Sequence, residues 1–316
     1  MKKIAEYIGY FLFVLGLLLF IAMSYFGILY IFKGNDIVAF AIALLLTLAL
    51  GGIVYYIAGA KKKEIDKGFT MTEGIGLFIY FGIALIGFIA MFHFMNVDFF
   101  LKDKIVSDGI AKVDVLSDMV NQYQLQVAKT KQDLLLEAQN HITNYNQNNN
   151  YPIKSELAKY GVNVNDFRNL NSNVENALNI REVAALALLT QIQNLDSNKL
   201  LEYKQVFTAW NRTQLRKTFD DLDKEALQRL ERLQKAFKGP DTNVKWNAQS
   251  FNYPPLQPQS GSIISSPFEL IEKYKPGWVL PILFALLIHF FILTPYLLEQ
   301  RSGRIYIGKG DNIGKI

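Results

Sequence analysis

Four long apolar runs divide this chain, at residues 4–32, 37–60, 76–96 and 277–298. Each is about 20 residues or longer and carries no Asp, Glu, Lys or Arg away from its ends. That is the pattern of a helix crossing a hydrocarbon core of about 30 Å. Three runs crowd the first hundred residues; the fourth lies near the C-terminus. Residues 97–276, between the third and the fourth, are mostly polar. The fold class expected is mainly α: an integral membrane protein with four transmembrane helices and a helical, coiled-coil-like extracytoplasmic domain.

Within the polar stretch, Leu116, Val120, Tyr123, Val127, Thr130, Leu134, Ala138, His141 and Tyr145 recur at alternating three- and four-residue steps. Such spacing makes a coiled-coil-like seam. Gly109 is the only glycine between Asp98 and Tyr151, so one helix is expected over 98–145, continuing from the third span. Asparagine then dominates, with twelve between Asn140 and Asn176. Its side chain competes with helical backbone bonds. A distal turn is expected over 146–172, with a short helix at 154–160 stopped by Gly161.

A second stripe runs through Val174, Leu178, Ala185, Leu188, Ile192 and Leu195. Asp196-Ser197-Asn198 offers a cap for a new helix. From Leu200 the seam resumes through Tyr203, Phe207, Trp210, Gln214, Phe219, Leu222, Ala226, Leu230, Leu233 and Phe237, and Gly239-Pro240 ends it. Residues 174–196 and 199–238 are one helix or two antiparallel ones. The helical bundle thus covers 98–238. Six of the nine prolines fall within 239–276. That stretch reads as an extended return segment, able to run back along a helical rod, with strand-like pieces at 243–246 and 262–265.

Charge sets the orientation. Lys2, Lys3, Lys61, Lys62, Lys63, Lys67, Arg301, Arg304, Lys309 and Lys315 border one side of the spans, and the short loop on the other side holds Lys33 alone. By the positive-inside rule both termini are cytoplasmic, as is the loop 61–75, and 97–276 is periplasmic in a bacterial inner membrane. The first run far exceeds a signal-peptide core of about 7–15 residues, and no small-x-small cleavage site follows, so it is read as a retained helix. In the tail, 299–316, Arg304-Ile305-Tyr306-Ile307 alternates. It suits a small hairpin or a strand added to a partner's sheet.

Candidate chemistry is sparse. The chain has 316 residues, 51% of them hydrophobic, a formal net charge of +5 and no cysteine. Disulfides, thiolate metal sites and cysteine nucleophiles are excluded together. The small positive charge belongs to membrane orientation rather than nucleic acid. His93, His141 and His289 are far apart, with no metal-ligand spacing. His289 alone is ionisable near the middle of a span, and it is expected to be neutral and bonded to a neighbouring helix. Pumps and transporters need buried charges, so these spans speak against them. Gly308-Lys309-Gly310 lacks the spacing of a phosphate loop. Asp220, Asp221 and Asp223 beside Arg216 and Lys217 read as surface charges. No catalytic, cofactor-binding or metal residue is expected, and no enzyme. Gly51, Gly52, Gly74, Gly76, Gly82 and Gly87 are candidates for close helix approach, and Pro281 and Pro295 for bends in the last span. Trp210 and Trp246 are packing residues or interface anchors. With Arg304 and Tyr306 they form the candidate interface set.

Three N-terminal spans, a large helical lobe and a fourth span with a short basic tail resemble, as a layout, the TssN family. These are membrane subunits of the Bacteroidetes-type (subtype iii) type VI secretion system. The resemblance covers the whole chain and implies a scaffold in a trans-envelope membrane complex, homo-oligomeric, touching other envelope proteins and a cytoplasmic baseplate protein through the tail. It transfers no functional residue. The alternative is a transmembrane sensor, because a helical lobe between spans also resembles the ligand-binding bundle of bacterial receptors. Eighteen residues after the last span are too few for a signalling domain, so a sensor would signal through a separate protein.

Overall fold

In a computed structural model, the residues described are 2–63, 70–165, 167–238, 244–256 and 264–299. The chain is mainly helical, with no strand among the described residues. It divides into two units. The first comprises Met1–Ile105, Arg212–Arg216 and Gly261–Ile316; the second comprises Val106–Asn211 and Lys217–Ser260.

The first unit holds the apolar runs as helices: α1 (Lys2–Ile31), α2 (Asp36–Lys63), α3 (Met71–Met95) and, after the short α8 (Pro267–Tyr274), α9 (Val279–Leu298). All four runs are long and apolar enough to cross a membrane. A helix satisfies its backbone polar groups internally, which hydrocarbon demands. α1 packs on α2, α3 and α9. Phe20, Leu50, Val54, Tyr80, Met91, Ile288 and Ile292 fill one cluster, and Ile28, Leu29, Ala39, Ala43 and Ala90 a second. Large apolar side chains such as Ile37, Phe78 and Leu286 point outward, as they do on a helix bundle solvated by lipid.

α3 starts five residues earlier than expected. The Thr70 side chain accepts from the Glu73 amide, and the Glu73 carboxylate accepts from the Thr70 amide. This reciprocal cap satisfies the first backbone donors and adds a turn. Glu73 is buried there and accepts from the Tyr296 hydroxyl at 3.3 Å. Lys61, expected in a loop, lies in the last turn of α2 and donates to the Tyr296 carbonyl at 2.8 Å.

The glycines expected to bring helices together divide. Gly76 faces Ile57 and Gly87 the Phe20 ring, whereas Gly52 and Gly82 face nothing. The approach at backbone level is elsewhere: a methyl group at Gly27 would strike the Ala90 carbonyl. Gly34, in the α1–α2 turn, has φ +81, and a side chain there would strike the Thr213 carbonyl.

After α3 the chain makes a π-helical turn, Asn96–Phe100, and then α4 (Lys102–Gln147). The expected unbroken helix from 98 is therefore offset by one wide turn, closed by the Leu101 amide donating to the Asn96 carbonyl at 2.9 Å. α4 has 46 residues, about 69 Å at ~1.5 Å per residue.

In the second unit α4 packs with α6 (Leu170–Thr208) and with the part of α7 (Arg212–Lys238) beyond Arg216. α6 runs antiparallel to α4: Lys131 pairs with Glu182 and Lys204 with Asp114, each at 2.8 Å. α7 returns parallel to α4: Lys112 pairs with Asp223, and Arg229 donates to the Leu116 carbonyl at 2.9 Å. Much of the expected seams lies in its core: Leu116, Tyr123, Val127, Leu134, Val174, Leu178, Phe207, Phe219, Leu233 and Phe237 are all buried, whereas Gln214 is exposed and the side chains of Leu188, Ile192 and Leu195 lie outside the description.

Asp196-Ser197-Asn198 does not start a helix, because α6 passes straight through it. The chain turns instead at 209–211, where Trp210 has φ +51. Phe207 and Phe219 then close the hairpin with ring centres 4.8 Å apart. The distal turn holds α5 (Ile153–Ala158), followed by Gly161 at φ +80, as expected from the sequence.

The return segment is not wholly extended. Residues 244–248 form turns rather than a strand. Within these turns Lys245 pairs with Glu137, and beyond them the chain runs back beside α4, where Asn252 exchanges hydrogen bonds with Gln126 and Tyr253 donates to Asp118 at 2.9 Å. Residues 264 and 265 are helical, not a strand, and α8 follows. Ser266 caps it and Pro267 stands at its first position, where a missing amide costs nothing.

Candidate functional site

The π-turn after α3 gathers polar groups in the first unit. One extra residue in a helical turn rotates the following side chains, and Asn96 and Asp98 are turned inward and buried. Tyr30, near the end of α1, donates to Asp98 Oδ1 at 2.7 Å. Arg212, at the start of α7, donates from Nε to Asp98 Oδ2 at 2.9 Å, and its guanidinium lies 4.8 Å from the Phe26 ring centre. A carboxylate removed from water is thus held by a hydroxyl and a guanidinium. His93 is buried one turn earlier. Its Nε2 donates to the Ile264 carbonyl at 2.5 Å, and its Nδ1 has no hydrogen-bond partner among the described residues.

His289 shares a hydrogen bond of 2.8 Å with the Tyr80 hydroxyl on α3, and the Phe20 ring meets it edge-on. This is the contact with a neighbouring helix expected from the sequence. His93 and His289 have separate partners. Among the described residues no group of three His, Asp or Glu side chains is placed to hold a metal ion.

In the second unit His141 bonds to the Tyr151 hydroxyl and lies beside Glu156. Around it, Glu137 and Tyr160 meet Lys245. Lys245 donates to Glu137 and holds that carboxyl below its ordinary value. Asp223, read as a surface charge, is partly buried against Lys112. Arg229 was not singled out from the sequence, yet only 3% of it is exposed. It could not be found there, because its partner carbonyl is 113 residues away.

Of the candidate interface residues, Trp246 is buried against Phe237 and Trp210 is buried at the α6–α7 turn. Arg304 and Tyr306 lie outside the described residues. The exposed apolar surface of the second unit is elsewhere. On α6, Val174, Leu178, Ala185 and Leu189 face the core, while Ile180, Val183, Ala184 and Ala187 are exposed. The exposed four recur at helical spacing. Ile180 is 70% and Val183 68% exposed.

These features define a mainly helical chain with four helices fit to cross a membrane and a second helical unit built on α4, α6 and α7. Compared with known protein families, with curated proteins and with solved structures, the chain matches none.

Proposed function

We propose that this chain is a structural subunit of a multiprotein complex in the bacterial inner membrane, acting through protein–protein contacts. Both termini are then cytoplasmic and residues 97–276 form a periplasmic, coiled-coil-like domain. The observation that carries the reading is the second face of α6. A helix whose core-facing stripe is satisfied, yet which exposes Ile180, Val183, Ala184 and Ala187, keeps an apolar seam for another chain. Copies anchored in one membrane meet at high effective concentration, so a second copy is the proposed occupant. The layout supports a type VI-like contractile secretion apparatus as host, with the tail carrying Arg304 and Tyr306 toward a cytoplasmic baseplate protein.

The test is extraction of the full chain in mild detergent, with its mass measured by light scattering. A defined oligomer that Val183→Glu reduces to monomers is expected. Monomers from the unaltered chain, with no envelope protein co-purifying, overturn the proposal. Protease added to the cytoplasmic side alone must leave residues 97–276 intact.

A further inference from the structure

The Ile264 carbonyl faces His93 Nε2 at 2.5 Å. A carbonyl only accepts, so Nε2 carries the ring proton, and in a neutral imidazole Nδ1 is then an acceptor. One turn on, a carbonyl also fixes the Asn96 amide. Its Nδ2 donates to the Phe92 carbonyl at 2.9 Å, which leaves Oδ1 as a second acceptor. Both side chains are fully buried, and among the described residues neither His93 Nδ1 nor Asn96 Oδ1 has a hydrogen-bond partner.

The helix sets these two residues on one face. The Asn96 backbone amide donates to the His93 and Phe92 carbonyls, and Asn96 keeps helical dihedrals. Side chains three residues apart on a helix start about 5–6 Å from each other at Cβ. Nδ1 and Oδ1 cannot bond directly, because both accept. A buried acceptor without a donor costs free energy, and here two such acceptors are neighbours. Ser24 and His289 also leave a buried polar atom unpartnered, but each does so singly. A proton added at Nδ1 would serve both acceptors at the cost of a buried cation, and the nearby Asp98 carboxylate is already held by Tyr30 and Arg212. A water molecule serves both without charge, since it has two O–H donors and needs two to four polar partners. Two neutral acceptors suit such a donor better than a metal ion, and no group of three ligating side chains occurs among the described residues.

We propose that the turn joining α3 to the π-helix binds one buried water, which donates to His93 Nδ1 and to Asn96 Oδ1. The water locks the ring whose Nε2 holds Ile264. His93 is then a positioning residue: it fastens the chain before α8 to α3 through Asn96 and the water. The site goes beyond the assembly role and does not depend on it.

Nitrogen-15 magnetic resonance of the full chain in lipid nanodiscs, with labelled histidine, tests the proposal. The chain has three histidines, and replacing His141 and His289 in turn assigns the His93 signals. At neutral pH His93 is expected to carry its proton on Nε2, with Nδ1 unprotonated and shifted by an accepted hydrogen bond. Magnetisation should pass from a slowly exchanging water to the His93 ring. In Asn96→Leu this transfer should fall about fivefold, because a site with one acceptor left holds water poorly. The spectrum of the unaltered chain decides the matter if that variant fails to fold. A proton on Nδ1 overturns the proposal, since the ring then either bonds Asn96 directly or takes the other tautomer. An unprotonated Nδ1 that receives nothing from water overturns it too, as does undiminished transfer in a folded Asn96→Leu chain.

Discussion

Arg212 and Asp98 are 114 residues apart in sequence, and the Arg212 Nε donates to the Asp98 carboxylate at 2.9 Å. Asp98 is almost wholly buried and Arg212 about a third exposed. Removing the cation leaves a buried carboxylate with Tyr30 as its remaining donor among these three residues. Arg212→Ala is expected to destabilise the first unit by about 2 kcal/mol, below the range for a fully buried pair because Arg212 is partly solvated. Combining it with Asp98→Asn should restore most of the loss. Thermal unfolding of the full chain in detergent measures both; equal midpoints for Arg212→Ala and the unaltered chain would refute the ion-pair role.

Gly27 and Gly82 both lie in candidate membrane helices, but they should respond in opposite ways. A methyl group at Gly27 meets the Ala90 carbonyl, whereas at Gly82 it meets nothing. Gly27→Ala must push α1 from α3 and should cost about 1–3 kcal/mol. Gly82→Ala should be neutral or slightly stabilising, since alanine favours helix. Similar unfolding midpoints for the two variants would contradict the packing described.

Trp246 is 1% exposed and packs against Phe237. Trp246→Ala is expected to cost about 3–5 kcal/mol by opening a core cavity. Chemical denaturation followed by circular dichroism gives the value. A variant of unchanged stability that fails to bind a partner would make Trp246 an interface anchor instead.

Stability of the second unit should fall with acid. The Lys245 ammonium holds Glu137 below its ordinary value. Glu225 is also lowered: burial opposes this but is outweighed by Lys199 and Arg229. A carboxylate with a depressed folded-state pKa stabilises above its unfolded value, and the gain is lost as pH falls through the folded one. Glu137 is nearly half exposed, so its share is below about 1 kcal/mol. Denaturation midpoints measured from pH 6 to pH 3 should drop, and Glu137→Gln should shallow the slope. A slope identical in that variant would exclude the pair as a contributor.

The four apolar helices were legible in the residues alone, because an uncharged run of that length has few low-energy environments other than lipid or a large core. So were the seam of α4, the asparagine-rich distal turn and the stop at Gly161, each a local preference that packing did not oppose. The cap of α3 and the start of α8 were written as Thr70 to Glu73 and as Ser266-Pro267, and were masked by a weaker apolar pattern and by nearby prolines. The turn at 209–211 was not legible. The heptad-like spacing from Leu200 to Phe237 reads the same in one helix or two, while Asp196-Ser197-Asn198 carries a cap signal that α6 overrides. The partners of Asp98, Arg229 and Gly27 depend on which segments come together from more than sixty residues away. Periodicity along a chain says which side of a helix is apolar. Only the assembled helices decide what covers it, and so which charges are paired and which apolar side chains stay exposed.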